Sequence, residues 1–167
     1  MNSGPNVFLI VTAAIPLFGA ILASLSFVAG NRHRGSMWAA LEFTSGMICG
    51  LALAIVLAGE ADGEPAERQL SLLTWYEFSL HGAPSVTFGL NADVYRAGII
   101  GVSGMIGLLV LWRVRHRLQQ HHSAVLIELI AWLYLAEVVF IFAPNTAQSL
   151  LGWAGLSVIA VLLSGQL

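Results

Sequence analysis

Apolar residues occur along this chain in long runs separated by short polar segments. The runs cover residues 7–29, 37–58, 94–114, 123–143 and 145–165. A helix of about 20 residues crosses the ~30 Å hydrocarbon core of a bilayer. The pattern therefore predicts an all-α integral membrane protein, in which residues 1–167 form a single membrane domain of five transmembrane helices.

The first apolar run could instead be a cleaved signal peptide. No positively charged region precedes it, and it is longer than the apolar part of a signal peptide. We therefore expect it to remain as a membrane helix. Pro16 lies inside this run and predicts a kink, which a membrane bundle tolerates.

Residues 59–91 form the one extended polar segment between the apolar runs. Its first part is acidic and rich in turn-forming residues. Residues 73–80 and 85–90 then have the composition of strands, and the intervening His-Gly-Ala-Pro sequence is typical of a turn. We expect a small β-hairpin between the second and third helices, on the outer face of the membrane.

The composition agrees with a membrane location and argues against a soluble domain and against a disulfide-linked protein. Only 10 % of the residues are charged, against about 25 % in a soluble domain. The single cysteine, Cys49, lies inside an apolar run, so no intrachain disulfide is possible. His116, His121 and His122 lack a carboxylate or thiolate at metal-ligand spacing, and we expect them in a basic loop that contacts anionic lipid or a partner. We predict no metal, no cofactor and no nucleic-acid partner.

The basic residues predict the orientation of the helices. All seven are arginines. Five of them form two clusters, at the first-to-second and third-to-fourth helix connections: Arg32, Arg34, Arg113, Arg115 and Arg117. Two such connections lie on the same side of the membrane, and the positive-inside rule places that side in the cytoplasm. The N-terminus and residues 59–91 would then face outward and the C-terminus inward, across a bacterial inner membrane.

Ionisable residues within membrane helices are candidates for function because a charge in the bilayer is costly. Three acids qualify: Glu42, Glu128 and Glu137. Each lies within about two turns of a predicted helix end, so we favour a structural role for each. Glu137 is the best functional candidate because apolar residues follow it. Asp93 and Arg96 have the spacing of a helix cap and a local ion pair.

Glycines recur on two of the predicted helices. Gly46 and Gly50 are four residues apart, and the third helix has glycine at every third position: Gly98, Gly101, Gly104 and Gly107. Glycine lets a neighbouring membrane helix approach closely. We therefore expect both faces to take part in helix packing.

A polar corner separates the last two apolar runs. Pro144 cannot continue the preceding helix, and Asn145 or Thr146 can cap the next one. With the residues that follow, this corner resembles the one between the fourth and fifth transmembrane helices of subunit L of proton-pumping NADH–quinone oxidoreductase, respiratory complex I. The matching residues are Asn145, Gly152, Trp153, Gly155 and Leu156.

The resemblance implies a shortened relative of the antiporter-like subunits, in which a glutamate on the fifth helix faces a lysine on a broken seventh helix. Ala154 stands where that family has the glutamate, and the chain contains no lysine. We therefore expect an accessory, non-pumping membrane subunit that docks and scaffolds partner subunits through its glycine faces. No autonomous catalysis is expected, although the chain could belong to a translocase.

Two alternatives remain open from the sequence. The chain could be one piece of a split proton-coupled transporter, such as the membrane subunit of an inorganic-carbon uptake complex. It could also be an unrelated membrane protein that binds lipid or pigment. In each case its surroundings include the lipid bilayer.

Overall fold

The computed structural model describes residues 4–60, 68–76, 86–115 and 121–165. Within them, the chain is mostly helical and has one small antiparallel sheet. The five helices are α1 (Gly4–Val28), α2 (Arg32–Glu60), α3 (Val94–Arg115), α4 (His121–Ile141) and α5 (Thr146–Ser164). The two strands are β1 (Arg68–Tyr76) and β2 (Val86–Ala92).

Four helices in the described part of the chain are long and apolar enough to cross a membrane. These stretches are Leu9–Val28, His33–Glu60, Val94–Val114 and Thr146–Ser164. The chain is therefore a membrane protein. The membrane crossing of helix α4 remains a prediction.

Helix α2 lies between α1 and α3 and packs extensively against both. Helix α4 contacts α1, α2 and α3, and α5 packs extensively on α4. The buried core is apolar, with Phe43, Leu53 and Phe142 among its largest members. Large apolar side chains such as Phe18 and Trp153 also cover the outer surface. Apolar residues on both inner and outer faces are typical of helices surrounded by lipid.

The connection between α1 and α2 is shorter than predicted. Gly30 adopts a left-handed backbone with φ of 74°, and Asn31 Oδ1 accepts a hydrogen bond from Arg34 N at 3.1 Å. Helix α2 therefore begins at Arg32 rather than at residue 37. The first basic cluster lies in the first turn of this helix and not in a loop, because the asparagine caps it.

The predicted β-hairpin is confirmed, although β1 begins at Arg68 rather than at residue 73. Its register places Leu70 opposite Leu90 and Thr74 opposite Thr87, with two irregularities along the pair. Residues 77–85, which include the predicted turn, lie outside the described residues. The hairpin precedes α3, at the end of the bundle opposite the α1–α2 turn.

The glycine faces of α2 and α3 pack against each other. A Cβ atom on Gly50 would lie 2.7 Å from Gly101 N. One on Gly104 would lie 2.7 Å from Met47 N and 2.8 Å from Phe43 O. Most of the glycine surface is thus used within the chain, which revises the expectation that partner subunits dock there. At Gly98 the surroundings are open.

Candidate functional site

Glu42 is fully buried, with no exposed side-chain surface. Its side chain occupies the space that Gly19 leaves on α1, where an added Cβ would lie 2.6 Å from the Glu42 Cβ and 3.3 Å from its Oε2. Neither carboxyl oxygen has a hydrogen-bond partner among the described residues. Helix α1 contains no charged residue. A buried carboxyl group with no partner is a costly arrangement that needs an explanation.

The position of Glu42 along α2 differs from the one expected. The sequence placed it within about two turns of the helix start. Because α2 begins at Arg32, Glu42 lies ten residues into the helix, which is about 15 Å along its axis. That distance is about half the ~30 Å hydrocarbon thickness. The carboxyl group therefore lies deeper along the helix than the sequence predicted.

Tyr134 of α4 packs against α2 one turn further along. Its hydroxyl contacts Gly46, one turn after Glu42 on the same face of α2. The hydroxyl donates a hydrogen bond to Ile100 O at 3.2 Å. The ring packs edge-on against Phe43, with 5.2 Å between the ring centroids. Gly46 thus makes room for the buried hydroxyl of Tyr134.

Glu137 lies one turn after Tyr134 on α4 and faces α3. Its Oε1 accepts a hydrogen bond from Ser103 Oγ at 2.5 Å. Tyr134, Glu137 and Ser103 line a cavity of about 380 Å³ between α3 and α4, together with Phe43 and apolar residues. The structure therefore brings one of the three predicted acids, Glu137, to a cavity that it shares with the Tyr134 side chain.

The cluster of Ser103, Tyr134 and Glu137 can form hydrogen bonds with a molecule in the cavity, because hydroxyl and carboxyl groups are donors and acceptors. It does not resemble a metal site. Among the described residues, no three histidine, cysteine, aspartate or glutamate side chains are grouped closely enough to hold an ion. Glu128, the third predicted acid, is partly buried near the start of α4 and is not part of the cluster.

A second polar group joins the hairpin to the corner between α4 and α5. Gln148 forms two hydrogen bonds with the backbone of Gly89, at 3.0 Å and 2.9 Å. Asn91 N donates to Phe142 O at 2.7 Å. The Arg96 guanidinium donates to Ala143 O at 3.5 Å. These bonds hold β2, the start of α3 and the corner together.

The helix-start residues at this end have the geometry that their spacing predicts. Asp93 Oδ1 accepts a hydrogen bond from Arg96 N at 2.8 Å, and Asp93 Oδ2 lies 3.2 Å from Arg96 Nε. Asn145 caps α5 by accepting from Gln148 N at 2.9 Å.

The family-like corner residues divide into a buried and an exposed set. Gly152 lies against the backbone of Phe140, and Gly155 lies near Ala136. Trp153 is 60 % exposed, and Ala154 is exposed as well. The position where the family has its glutamate therefore faces away from the rest of the described chain.

The arginine clusters lie at the end of the bundle opposite the hairpin. Arg34 and Arg113 are exposed there. Arg32 and Arg115 occupy helix ends at the same side. Arg117 and His116 lie outside the described residues, and His121 and His122 begin α4.

Two residues of these polar groups, Tyr134 and Gln148, were not predicted from the sequence. Tyr134 could have been found as a polar residue three positions before Glu137 on one helix face. Gln148 stands three residues after the capping Asn145, which is the spacing of a capping box. Its side chain instead pairs with a strand, and only the tertiary structure reveals that partner.

Comparisons with known proteins do not assign the chain. No family model matches it, and no curated protein does.

Proposed function

We propose that this protein is an accessory, non-pumping membrane subunit of a larger complex related to NADH–quinone oxidoreductase and the cation–proton antiporters. Its role is to hold partner subunits in place. All five helices cross the bacterial inner membrane, with the hairpin outside and the arginine clusters in the cytoplasm. The proposal combines the sequence resemblance at the α4–α5 corner with the exposed position of Ala154.

The environment of Ala154 is the observation that carries this proposal. An alanine methyl group cannot bind or release a proton, so the position cannot perform the transfer that the resemblance implies for a glutamate. Because Ala154 is exposed on α5, a neighbouring lipid or protein can contact it directly. Loss of the titratable group together with an open surface favours a docking role over transport.

The packing of α5 supports the same role. This helix packs extensively on α4, and only Gln148 and Gly152 are buried along it. Its outer side carries two small residues, Ala154 and Ala160, among larger apolar side chains such as Trp153 and Val161. Small residues favour close contact between membrane helices. We therefore assign this outer side of α5 to the transmembrane helices of a partner subunit.

Site-specific photo-crosslinking tests the docking role. A photoreactive side chain at position 154 should capture a membrane subunit with antiporter-like helices in intact cells. The same group at Phe18, which is exposed on α1, is the matched control and should capture lipid. Lipid alone at position 154, or a protein of another class, would refute the proposal.

Proton flux tests the non-pumping part. The purified chain in liposomes should not dissipate or build a proton gradient above the level of empty liposomes. Ala154→Glu should not restore flux, because the chain has no lysine to pair with it. A flux that depends on this chain alone would contradict the proposal.

The buried acid cluster favours a second candidate, one piece of a split proton-coupled transporter. Glu42 and Glu137 would then be separate parts of a pathway that another polypeptide completes. Reconstitution with the captured partner separates the two candidates. Flux that requires both chains and is lost in Glu137→Gln supports the transporter, whereas unchanged flux supports the accessory subunit.

A further inference from the structure

The cavity of about 380 Å³ between α3 and α4 is lined mostly by apolar side chains. Each helix gives it four residues spaced three and four apart, from Ser103 to Val110 on α3 and from Ile130 to Glu137 on α4. This spacing is that of a single helix face. The buried ring of Phe43 closes the inner side. Ile106 and Val110 are exposed, so the cavity opens at the outer surface of the bundle, where lipid lies.

The polar groups of the cavity lie at one end of it. Helices α3 and α4 are antiparallel, because the start of α3 bonds to the end of α4 and Ser103 bonds to Glu137 further along. Val110 and Ile130 therefore form the opposite, apolar end. The two ends are about 10 Å apart along the helix axes. Ser103 lies nine residues after the start of α3, about 14 Å along the helix and thus near the middle of the membrane.

Glu137 is the group to which a molecule in this cavity can bond. The Ser103 hydroxyl already donates to Glu137 Oε1, and the Tyr134 hydroxyl already donates to Ile100 O. Ser103 is the one hydrogen-bond partner that the described residues give Glu137. The glutamate is only partly buried. Its second oxygen is therefore available to a ligand, and the bond from Ser103 fixes the direction in which it points.

The depth and the chemistry of the cavity restrict the ligand. A charged head group near the middle of the membrane would be costly, so the head should be neutral. A hydroxyl group both donates and accepts, so it can bond to a carboxyl oxygen in either charge state of the acid. A bare acyl chain would fill the apolar end but leave the Glu137 oxygen without a partner. The volume of about 380 Å³ is near the lower limit for small-molecule sites, so it suits one compact molecule.

We propose that this cavity binds a small, neutral, lipid-soluble alcohol or phenol. The hydroxyl group of the ligand bonds to Glu137, and its hydrocarbon body lies along the apolar end toward Val110. The ligand enters sideways from the bilayer, past the exposed side chain of Ile106. The site does not depend on the docking role, because no residue of α5 lines the cavity.

Photolabelling of the protein in liposomes tests the site. The probe is 4-hexylphenol with a diazirine in its alkyl chain, and labelled positions are mapped by mass spectrometry. Labelling should concentrate on the faces of α3 and α4 that line the cavity, and unlabelled 4-hexylphenol should compete for it. At equal concentration in the membrane, hexylbenzene should compete about 5-fold less well, because it lacks the hydroxyl group. Equal competition by the two compounds, or labelling spread evenly over all helices, would overturn the proposal.

A cationic competitor tests whether the ligand is neutral. The compound 4-hexylbenzylamine has a similar hydrocarbon body and a charged head, and it should compete less well than 4-hexylphenol. Stronger competition by the amine would assign the cavity to cations and contradict the proposal.

Filling the apolar end tests where the ligand lies. Val110→Phe places a ring in the cavity and should abolish the labelling for which 4-hexylphenol competes. Leu109→Phe is the matched control, because Leu109 is exposed on the same helix and does not line the cavity. Competed labelling that survives unchanged in Val110→Phe would show that the ligand binds elsewhere.

Removing the acceptor tests the hydrogen bond. Glu137→Leu keeps a side chain of similar size without the carboxyl group, so 4-hexylphenol and hexylbenzene should compete equally. Ser103→Ala retains the carboxyl group and should retain the preference for the phenol. A preference that persists in Glu137→Leu would refute the role of Glu137. If that variant does not fold, the two competitors in the unaltered protein and the result for Val110→Phe still decide the proposal.

Discussion

Gln148 and Gly89 bind each other through a reciprocal pair of hydrogen bonds. Gly89 N donates to Gln148 Oε1 at 3.0 Å, and Gln148 Nε2 donates to Gly89 O at 2.9 Å. The carboxamide offers the same donor and acceptor as the peptide group of a neighbouring strand. One side chain from the first turn of α5 therefore continues the hairpin ladder at a buried position. This pair attaches the hairpin directly to the α4–α5 corner.

Removing the amide should destabilise the protein. Gln148→Leu keeps the size of the side chain but leaves the Gly89 donor and acceptor without their partner. The free energy of unfolding should fall by about 1–3 kcal/mol, measured by denaturation in mixed micelles. Ser157→Ala is the control, because the Ser157 hydroxyl is exposed and bonds only within its own helix. Equal stabilities for the two variants would show that the pair contributes nothing.

The contact between α2 and α3 should not tolerate a methyl group at Gly104. A Cβ there would meet backbone atoms of Phe43 and Met47, which cannot move aside as a flexible side chain can. Gly104→Ala should lower the free energy of unfolding by about 1–3 kcal/mol. Gly98→Ala on the same helix has open space and should gain up to about 1 kcal/mol from helix propensity. We therefore expect the free energy of unfolding to fall in Gly104→Ala and to rise in Gly98→Ala.

The cap at the start of α3 should matter more than the ion pair beside it. Asp93→Ala removes both and should cost about 1 kcal/mol. Asp93→Ser keeps a capping oxygen for Arg96 N and loses the charge. Because exposed ion pairs contribute about 0–1 kcal/mol, Asp93→Ser should unfold close to the original midpoint. A serine variant as unstable as the alanine one would assign the stability to the ion pair.

A hydrogen bond couples the first and fourth helices. Trp132 Nε1 donates to Ser24 Oγ at 2.8 Å. A double-mutant cycle with Trp132→Phe and Ser24→Ala should give a coupling of about 0.6 kcal/mol, the usual value for such bonds in membrane proteins. The cycle uses the free energies of unfolding of both single variants and the double variant. Strictly additive effects would mean that the two side chains act independently.

The helices were predictable because their signal is local. A long apolar run is sufficient to specify a membrane-crossing helix, since every backbone donor and acceptor must be satisfied within the segment. Residues 94–114 were predicted as the third helix, and α3 runs from Val94 to Arg115. Helix α2 was placed five residues too late, because the cap at Asn31 extends it through charged residues that have no apolar signal.

The sequence by itself determined that the chain is an apolar helical protein with a hairpin, and it identified the acids, the glycines and the corner. Only the tertiary structure decided which of them meet. Gly46 and Tyr134 are far apart in the chain and lie together because the glycine leaves room for the tyrosine hydroxyl. Gln148 and Gly89 are likewise far apart in the chain, and only the packing of the hairpin on the α4–α5 corner brings them together. Contacts between helices depend on which face each helix turns toward its neighbour. A membrane helix is apolar on all sides, so its sequence does not indicate which face that is.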